Sequence, residues 1–459
     1  MKFDVSDYVD AERGLIHGEI FHSQEIYEAE LENVFRRSWS FLAHDKMIPK
    51  PGDFIQNYIG EDPVVIVRQK DGSVKAFLNQ CRHRGMRICR ADEGNAKAFM
   101  CSFHGWTYDL AGNLIQVPHE ETSYPGGLRK EDWGPIQVPL LHNYRGFIFG
   151  CWDPTAPSFE EYLGDMAWYV DSYFDRYDGG LEPVALHKWV IGCNWKFNAE
   201  QAASDMSHGE TTHASVIQVM ALQDRDDSRD DEAAPSVVDM GLAAVGGAQY
   251  SDPYGHGAGW FNHVRFQANP KVLDWELTRK DEIVSRIGED RFIKVRGHAN
   301  IFPNLMILSN GTIRLAHPRG PNEFEMWAWT FVPVDAPEEL KETMRVDVLR
   351  TFSPGGMFEQ DDAENWLEEQ RILRGRVARQ SPLAYTAHLG TERSDVDGYP
   401  GRTVPHCYAD HGARGMYQHW SDLMSGASWS EIAEMKARRA QQGSSSQTSP
   451  ESAGKGAMA

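Results

Sequence analysis

In the string Cys81-Arg82-His83, and again in Cys101-Ser102-Phe103-His104, the sequence pairs one thiol with one imidazole. Seventeen residues separate the two strings, so the whole pattern is C-x-H-x17-C-x-x-H. Two cysteines and two histidines can hold a zinc ion, or a [2Fe–2S] cluster with thiolates on one iron and imidazoles on the other. The Cys-x-His spacing is uncommon among zinc sites, so it favours the cluster and predicts a protein that handles electrons.

Composition argues against several classes of function. The chain has 459 residues and a formal net charge of −21, whereas nucleic acids and anionic membranes attract clustered Lys and Arg. No apolar stretch approaches the roughly 20 residues of a membrane span, and the N-terminus lacks the pattern of a secretory signal. Six cysteines in this length are not a disulfide framework, and two of them lie in the ligand strings, which favours a reducing cytoplasm.

The chain divides into segments with different patterns. Residues 39–155 are rich in β-branched runs and turn signals such as Asp71-Gly72, and they predict a small all-β domain with both ligand strings on loop tips. Residues 156–440 mix sheet signals, including the hairpin sequence Asn310-Gly311, with amphipathic helices over 337–349 and 360–376. We therefore expect an α+β fold, in which the small domain precedes or is inserted in a larger domain with an antiparallel sheet flanked by helices.

The ends of the chain and two inner stretches differ from these domains. Residues 1–38 are expected to form a helical segment on the larger domain, and the Ser/Gly/Gln-rich residues 441–459 a disordered tail. A capping box at Ser428 and Glu431 predicts the start of the last helix. The charged residues 224–232 and the Gly-rich residues 245–259 predict mobile loops, which are either a lid over a site or solvated surface loops.

The two strings, followed by a Gly-Trp pair, resemble the Rieske domain of bacterial aromatic ring-hydroxylating dioxygenases. The run NQCRHRGMRICR at 79–90 is similar to that of the biphenyl and toluene group. The resemblance implies a [2Fe–2S] cluster in which Cys81 and Cys101 bind one iron while His83 and His104 bind the other.

A second site is needed, because a cluster moves one electron and performs no oxygen chemistry alone. His208 and His213 are five residues apart, which rotates them by about 140° on an ideal helix, so we expect the helix to bend or unwind near Gly209. Two imidazoles and one carboxylate on one face of Fe(II) leave positions open for dioxygen. The carboxylates available in a later helical segment are Glu359, Asp361, Asp362 and Glu364. The resemblance selects the second Asp of the pair and implies that His208, His213 and Asp362 bind a mononuclear Fe(II).

Asp205 lies three residues before His208, where a carboxylate can orient a ligand imidazole; a helix-surface carboxylate is the alternative. In the family this Asp connects the Rieske His of a neighbouring subunit to the mononuclear iron. The resemblance therefore gives Asp205 a catalytic role between His104 of one copy and His208 of another. Ser207 stands where relatives usually have Tyr, which affects packing beside the iron and leaves the ligands intact.

The substrate pocket is expected to be apolar or neutral. No Arg falls at a matched pocket position, so a flat uncharged aromatic ring fits better than an aromatic carboxylate. Each matched residue also suits an ordinary core. The resemblance assigns the pocket to Gln201, Met206, Gly209, His298, Asn300, Phe352 and Phe358.

Together these expectations describe the catalytic large subunit of a multicomponent dioxygenase that adds both atoms of O2 to a neutral aromatic hydrocarbon and forms a cis-dihydrodiol. Electrons come from a ferredoxin or reductase, and the family implies a small β subunit in an α3β3 hexamer. NADH is not expected to bind, because no G-x-G-x-x-G follows a strand. The alternatives are a Rieske-type monooxygenase or demethylase and, outside this class, a non-catalytic zinc-binding protein.

Overall fold

A computed structural model of the chain describes residues 3–203, 205–223, 244–261, 269–293, 297–394 and 398–446. Within these ranges, five antiparallel sheets and many helices confirm the expected α+β class. Both predicted amphipathic helices are present, although the second begins three residues before the expected start. The α-helices are Gln24–Glu30, Glu120–Ser123, Phe159–Leu163, Met166–Phe174, Trp195–Ala202, Ala214–Gln223, Pro270–Thr278, Lys280–Ile287, Glu289–Ile293, Glu338–Thr351, Met357–Leu373, His411–Met424 and Trp429–Ser446.

The front part of the chain is built from three small sheets. Each ligand string comes shortly after a strand, as the sequence predicts: Cys81 lies three residues after the end of Val74–Leu78, and Cys101 directly follows Phe99–Met100. In order across each sheet, the strands are Val74–Leu78, Asp62–Arg68, Asp53–Ile59 and Glu93–Asn95; Leu114–Gln116, Thr107–Tyr108 and Phe99–Met100; and Leu140–Tyr144, Phe147–Cys151 and Ser40–His44.

A nine-stranded antiparallel sheet is the centre of the second part. The hairpin at Asn310-Gly311 is confirmed: Gly311 has a φ of 87°, and the Asn310 side chain accepts the N–H of Thr312 at 3.2 Å. In order across the sheet the strands are Leu181–Ile191, Phe324–Pro333, Thr312–Pro318, Leu305–Leu308, Gly297–Ile301, Gly257–Trp260, Ala248–Ser251, Arg402–Val404 and Arg393–Ser394.

Two core clusters join the parts of the fold. In one of them, Phe41 of a front sheet packs edge-on against Trp329 of the nine-stranded sheet, with ring centroids 5.5 Å apart. In the other, Phe21 of the N-terminal segment stacks on Phe197 at 4.5 Å. Aromatic contacts of this kind bury large areas, so the front sheets and the N-terminal segment are both held against the second part.

The N-terminal segment is only partly helical, which corrects the expectation for residues 1–38. The strands Val9–Asp10 and Leu15–His17 precede the first helix, and the second of them pairs with Pro382–Ala384. Gly14, with a φ of 65°, lies in the turn between the two strands and permits the pairing.

The prediction of a mobile loop at 245–259 is wrong. The segment contains the strands Ala248–Ser251 and Gly257–Trp260. Its glycines allow close packing: a Cβ on Gly257 would lie 2.2 Å from the carbonyl oxygen of Ala203. The other predicted loop, 224–232, lies outside the described residues.

The last helix begins with the predicted capping box. Ser428 Oγ accepts the N–H of Glu431 at 3.3 Å, and Glu431 Oε2 accepts the N–H of Ser428 at 2.8 Å. The helix continues to Ser446, so the expected disorder is wrong for 441–446, which form the end of this helix. The rest of the tail lies outside the described residues. In the part of the chain that the structure describes, no helix combines the length and apolar character needed to cross a bilayer.

Candidate metal centres

The two cysteine strings fold into equivalent loops. The N–H of Gly85 donates to the carbonyl of Cys81 at 2.9 Å, and the N–H of Gly105 donates to the carbonyl of Cys101 at 3.0 Å. Both glycines have a positive φ, 77° and 73°, which glycine adopts without strain. A Gly four residues after each Cys is therefore a turn signal that the sequence analysis did not use.

The loops bring the four predicted cluster residues together. Nδ1 of His83 and Nδ1 of His104 lie 3.1 Å apart, and their ring centroids are separated by 4.5 Å. Cys81 and Cys101 are 2% and 1% exposed, whereas His104 is exposed to solvent. Burial is the main cause that raises the pKa of the Cys81 thiol, and the neighbouring Cys101 thiol raises it further.

This donor set fits a [2Fe–2S] cluster with buried thiolates on one iron and solvent-facing imidazoles on the other. Sγ of Cys81 lies 3.2 Å from the hydroxyl of Tyr108, and hydrogen bonds to the sulfurs are one means by which proteins tune such clusters. All six cysteines fall within the described residues and are free thiols, so no disulfide competes for the ligands.

Three side chains from distant parts of the chain converge at a second site. The ligand atoms of His208, His213 and Asp362 all lie within 4.8 Å of one another. Nε2 of His208 is 3.5 Å from Oδ1 of Asp362, and Nε2 of His213 is 3.2 Å from the same oxygen. We call these three residues the triad; its two imidazoles and one carboxylate face a common position.

The helix is interrupted between the two histidines, as the sequence predicts. The helix Trp195–Ala202 has already ended when the chain reaches His208, which lies in the 3₁₀ turn Ser207–Glu210. The N–H of Thr212 then donates to the His208 carbonyl at 2.7 Å, and His213 directly precedes the helix Ala214–Gln223. This break turns both imidazoles toward Asp362.

A carboxylate also contacts the other nitrogen of each imidazole. Nδ1 of His208 lies 3.2 Å from Oδ2 of Asp205, and Nδ1 of His213 lies 3.2 Å from Oδ2 of Asp361. Such contacts fix the ring orientation and the tautomer of a metal-binding His. Burial lowers the pKa of His208, but Asp205 outweighs this effect and raises it to about 9. The contact of Asp205 with His208 is expected from the sequence, whereas Asp361 is expected from it only as a candidate metal ligand.

The helix Met357–Leu373, which carries Asp362, is tied to the histidine segment. Asn365 Nδ2 donates to Thr212 Oγ1 at 2.9 Å, and Trp366 Nε1 donates to Gln201 Oε1 at 2.9 Å. These bonds hold the carboxylate side of the triad against the imidazole side.

The surroundings of Asp362 suit a metal ion. Both carboxylate oxygens are buried, and neither accepts a hydrogen bond from a described residue. The two imidazoles beside this buried carboxylate satisfy it only in part, and a divalent ion between the three side chains would complete its interactions. Of the other candidate carboxylates, Glu359 forms an ion pair with Arg314 and Glu364 is exposed, so neither joins the set.

The apolar residues predicted for the pocket lie beside the triad. Phe358 packs edge-on against His213 with centroids 4.6 Å apart, and Phe352 lies 5.4 Å from Phe358. Met206 and Gly209 are buried in the segment that carries the histidines. Phe352 also contacts a buried cluster that the sequence analysis missed, formed by Ala202, Met306 and Leu308.

The polar residues predicted for the pocket have unused hydrogen-bonding atoms. The ring of His298 lies 6.2 Å from that of His208, and burial lowers the pKa of His298 to about 4, which keeps the ring neutral. Nδ1 of His298, Nε2 of Gln201 and both amide atoms of Asn300 are buried without a hydrogen bond to any described residue. Buried polar atoms of this kind call for a ligand or an ordered water.

An open, acidic cavity of about 430 Å³ borders Asp205 and His208. Gln201 also lines it, next to Glu200. Burial raises the pKa of Glu200 to about 8, and a second acidic residue, Glu369, adds to the effect. Further carboxylates in the lining are those of Glu368 and Asp410.

Family models match both parts of the chain. Residues 38–138 match the Rieske [2Fe-2S] domain, and residues 159–426 match the ring hydroxylating alpha subunit (catalytic domain).

Individual relatives extend over nearly the whole chain. The biphenyl 2,3-dioxygenase subunit alpha of Rhodococcus jostii (strain RHA1) is 46% identical over 440 residues, which cover 94% of this chain and 93% of the relative. A benzene 1,2-dioxygenase subunit alpha of Pseudomonas putida is 45% identical over 441 residues, covering 94% and 95%. A crystal structure of a naphthalene 1,2-dioxygenase variant bound to phenanthrene matches with a TM-score of 0.87 and 30% identity, covering 96% of this chain and 99% of that one. The chain therefore belongs to the alpha subunits of the aromatic ring-hydroxylating dioxygenases, which carry a Rieske [2Fe–2S] cluster and a mononuclear iron.

Proposed function

We propose that this subunit adds both atoms of O2 to a neutral aromatic hydrocarbon, mono- or polycyclic, and forms a cis-dihydrodiol. The observation that carries the proposal is the triad, in which both Nε2 atoms face one buried carboxylate while both Nδ1 atoms contact other carboxylates. The proposed ligands are Cys81, His83, Cys101 and His104 for the [2Fe–2S] cluster, and His208, His213 and Asp362 for the mononuclear Fe(II).

When bound, the cluster supplies single electrons and the mononuclear iron activates dioxygen. The contribution of the chain is geometry and protonation. Asp205 and Asp361 favour a proton on Nδ1 of each imidazole, so a metal ion binds at Nε2 and displaces any proton held there. Burial of Asp362 keeps water away from the carboxylate, so the metal is its best available partner.

The apolar surroundings of the triad support a neutral ring as substrate. Phe352 and Phe358 offer flat contact surfaces beside His213, which suits a substrate held by dispersion and shape. The charge of Arg314 near Phe352 is already balanced by Glu359, so it does not favour a substrate carboxylate. The substrates in the names of the relatives, biphenyl and benzene, are neutral aromatic hydrocarbons.

We further propose that electrons pass between two copies of the chain through Asp205. The Asp205 side chain is 40% exposed while that of His208 is 14% exposed, and no contact within the described part of one chain joins Asp205 to His104. The cavity beside Asp205 is acidic, whereas the tip that carries the cluster histidines is basic. Opposite charges favour docking of the tip of one copy against the cavity of the next. The exposed basic residues of the tip are Arg84, Arg87 and Arg90.

The homologous alpha subunits belong to multicomponent dioxygenases that need an electron donor. For this chain we propose a ferredoxin or a reductase as the donor, a small β subunit, an α3β3 hexamer and a cytoplasmic location. We also propose that residues 39–155 form the cluster domain and 156–440 the catalytic domain, with residues 1–38 packed on the latter. The stacking of Phe21 on Phe197 supports this assignment of the N-terminal segment.

Product analysis with isotopically labelled O2 tests the proposed reaction. The protein is reconstituted with an electron-transfer chain and supplied with benzene, biphenyl, naphthalene and larger fused rings. Both labelled atoms are expected in a cis-dihydrodiol. One labelled atom in the product would indicate a monooxygenase or demethylase, and a colourless protein with zinc and no acid-labile sulfide would indicate a zinc-binding protein.

A further inference from the structure

Arg314 and Glu359 form a buried ion pair, and Glu359 lies one helical turn before Asp362. Arg314 projects from the strand Thr312–Pro318 of the nine-stranded sheet, and its Nη2 donates to Oε2 of Glu359. The two side chains are 0% and 2% exposed. Glu359 is the third residue of the helix Met357–Leu373, so the pair joins the sheet to the first turn of the helix that carries the triad carboxylate.

The start of this helix has no side-chain cap. Gly356 occupies the N-cap position. A Cβ at Gly356 would lie 2.3 Å from the carbonyl oxygen of Thr351, so the position cannot take a capping Ser or Asp without a shift of the backbone. The ion pair is thus a side-chain anchor for a turn whose own sequence cannot supply a cap.

The Arg314 guanidinium also contacts the aromatic side of the site. Its central carbon lies 5.7 Å from the ring centroid of Phe352. Phe352 packs on Phe358, whose ring contacts His213. Arg314 is therefore connected to two members of the triad, to the carboxylate through the ion pair and to one imidazole through two aromatic rings.

Stability alone does not explain this pair. Nε and Nη1 of Arg314 form no hydrogen bond to any described residue, so the buried cation is only partly satisfied. Apolar residues of similar volume are often at least as stable as a buried ion pair. A role in fixing local geometry accounts for a pair that adds little stability.

We propose that Arg314 is a positioning residue for the mononuclear metal site. Through Glu359 it fixes the first turn of the helix, and so it places the Asp362 carboxylate opposite the two imidazoles. The inference rests on the proposed function, because it requires that the triad bind a metal.

Equilibrium dialysis against Co(II) tests the proposal without relying on turnover. The mononuclear site is depleted with the cluster retained, and Co(II) binding is measured by elemental analysis for the wild type and for R314M, R314K and E359Q. Positioning predicts a loss of affinity of about 10- to 100-fold in R314M and E359Q, with part of the loss restored in R314K. A role of Arg314 through charge alone predicts tighter binding in R314M, because a positive charge near the cation is removed.

The pair Arg176–Glu276 provides a matched control. Its side chains are 5% and 1% exposed, and it connects to the helix Pro270–Thr278, which carries no member of the triad. R176M is expected to bind Co(II) with wild-type affinity at equal cluster content, even where its Tm falls.

The outcomes separate the inference from the proposed function. Wild-type or tighter binding in R314M, or an equal loss in R176M, would overturn the positioning role. Loss of the visible spectrum of the cluster in R314M would show that this variant has not folded. In that case the Co(II) affinities of E359Q and R314K test the positioning role in its place. A wild type that binds no Co(II) at the triad would refute the proposed function itself.

Discussion

Oδ2 of Asp361 lies 3.2 Å from Nδ1 of His213, on the side of the imidazole ring that faces away from Asp362. The next residue, Asp362, contacts Nε2 of the same ring through Oδ1 at 3.2 Å. Two adjacent carboxylates of one helix thus contact the two nitrogens of one imidazole. Asp361 orients the ring, and Asp362 remains available to a metal.

Asp361→Asn is expected to weaken the mononuclear site while leaving the cluster intact. The change keeps the size of the side chain and removes the charge that favours a proton on Nδ1 of His213. We expect the affinity for Fe(II), and the activity with it, to fall by about 10- to 100-fold, as is typical for residues that orient metal ligands. Glu364→Gln, which changes an exposed acid on the same helix, is the control. Wild-type iron affinity in Asp361→Asn would show that the contact is incidental.

How far the sequence determines this site differs between its parts. The four residues that meet at the proposed cluster site could be predicted because they lie in two short strings whose spacing is itself informative. His208 and His213 also lie close together in the sequence. Asp362 was selected from four nearby carboxylates only by the resemblance to a family. The contacts of Asp361 and Arg314 depend on the rotation of a helix against a sheet, which spacing along the chain does not encode.

Glycine was the main source of error in the predicted fold. A Gly-rich run is typical of a loop, but at Gly257 the missing side chain lets the strand approach Ala203 closely. At Gly85 and Gly105 the same residue type forms tight turns at the cluster loops. Composition alone does not distinguish these uses, because each depends on what lies opposite the glycine.

At saturating Fe(II), Asp205→Ala is expected to hold both metals and to lose most of the electron transfer between them. The carboxylate is exposed next to His208, so it can contact a second copy without forming part of the triad. We expect turnover to fall by about 100-fold, the upper end for a residue that orients a metal ligand. The reduced cluster should also persist when substrate and O2 are added, as followed by its visible spectrum.

Ser207→Ala is the control for this variant, because it removes a hydroxyl that donates to Asp205 at 2.6 Å and leaves the carboxylate in place. A much smaller effect is expected. Normal turnover in Asp205→Ala would refute the bridging role.

Mixed assemblies test whether electrons cross between copies. Cys101→Ser should lack the cluster and His213→Ala should lack the mononuclear iron, so neither variant should form product alone. Co-expression with different purification tags should restore part of the activity, because an intact cluster then faces an intact triad in the neighbouring copy. A chain that carries both Cys101→Ser and His213→Ala, expressed with both purification tags, is the inactive control. A mixed assembly that contains both metals and stays inactive would mean that transfer runs within one chain.

Lys436→Met is expected to remove one source of the pH dependence of stability. The ammonium group is buried without a hydrogen bond to a described residue, and it lies 3.2 Å from the ring centroid of Tyr254. Burial lowers the pKa of Lys436 from 10.5 to about 7. Between about pH 7 and pH 10 the folded protein has released this proton, whereas the unfolded chain, in which Lys has a pKa of about 10.4, still binds it. The free energy of unfolding of the wild type therefore rises with pH over this range.

Thermal unfolding at several pH values measures this effect. The wild type should gain stability between about pH 7 and pH 10, and Lys436→Met should lack this gain. Lys271→Met, at an exposed position, should keep the wild-type trend. An unchanged pH trend in Lys436→Met would contradict the assigned burial of the charge.

We propose that electron storage and oxygen chemistry occur at two separate iron sites of one chain. Elemental iron and acid-labile sulfide, measured on the same active sample, test it most directly. We expect about three irons and about two sulfides per chain in the wild type. In Asp362→Ala we expect about two irons, an unchanged sulfide content and no product. A fully active wild type whose iron is all in the cluster, or an Asp362→Ala protein that loses the cluster as well, would contradict it.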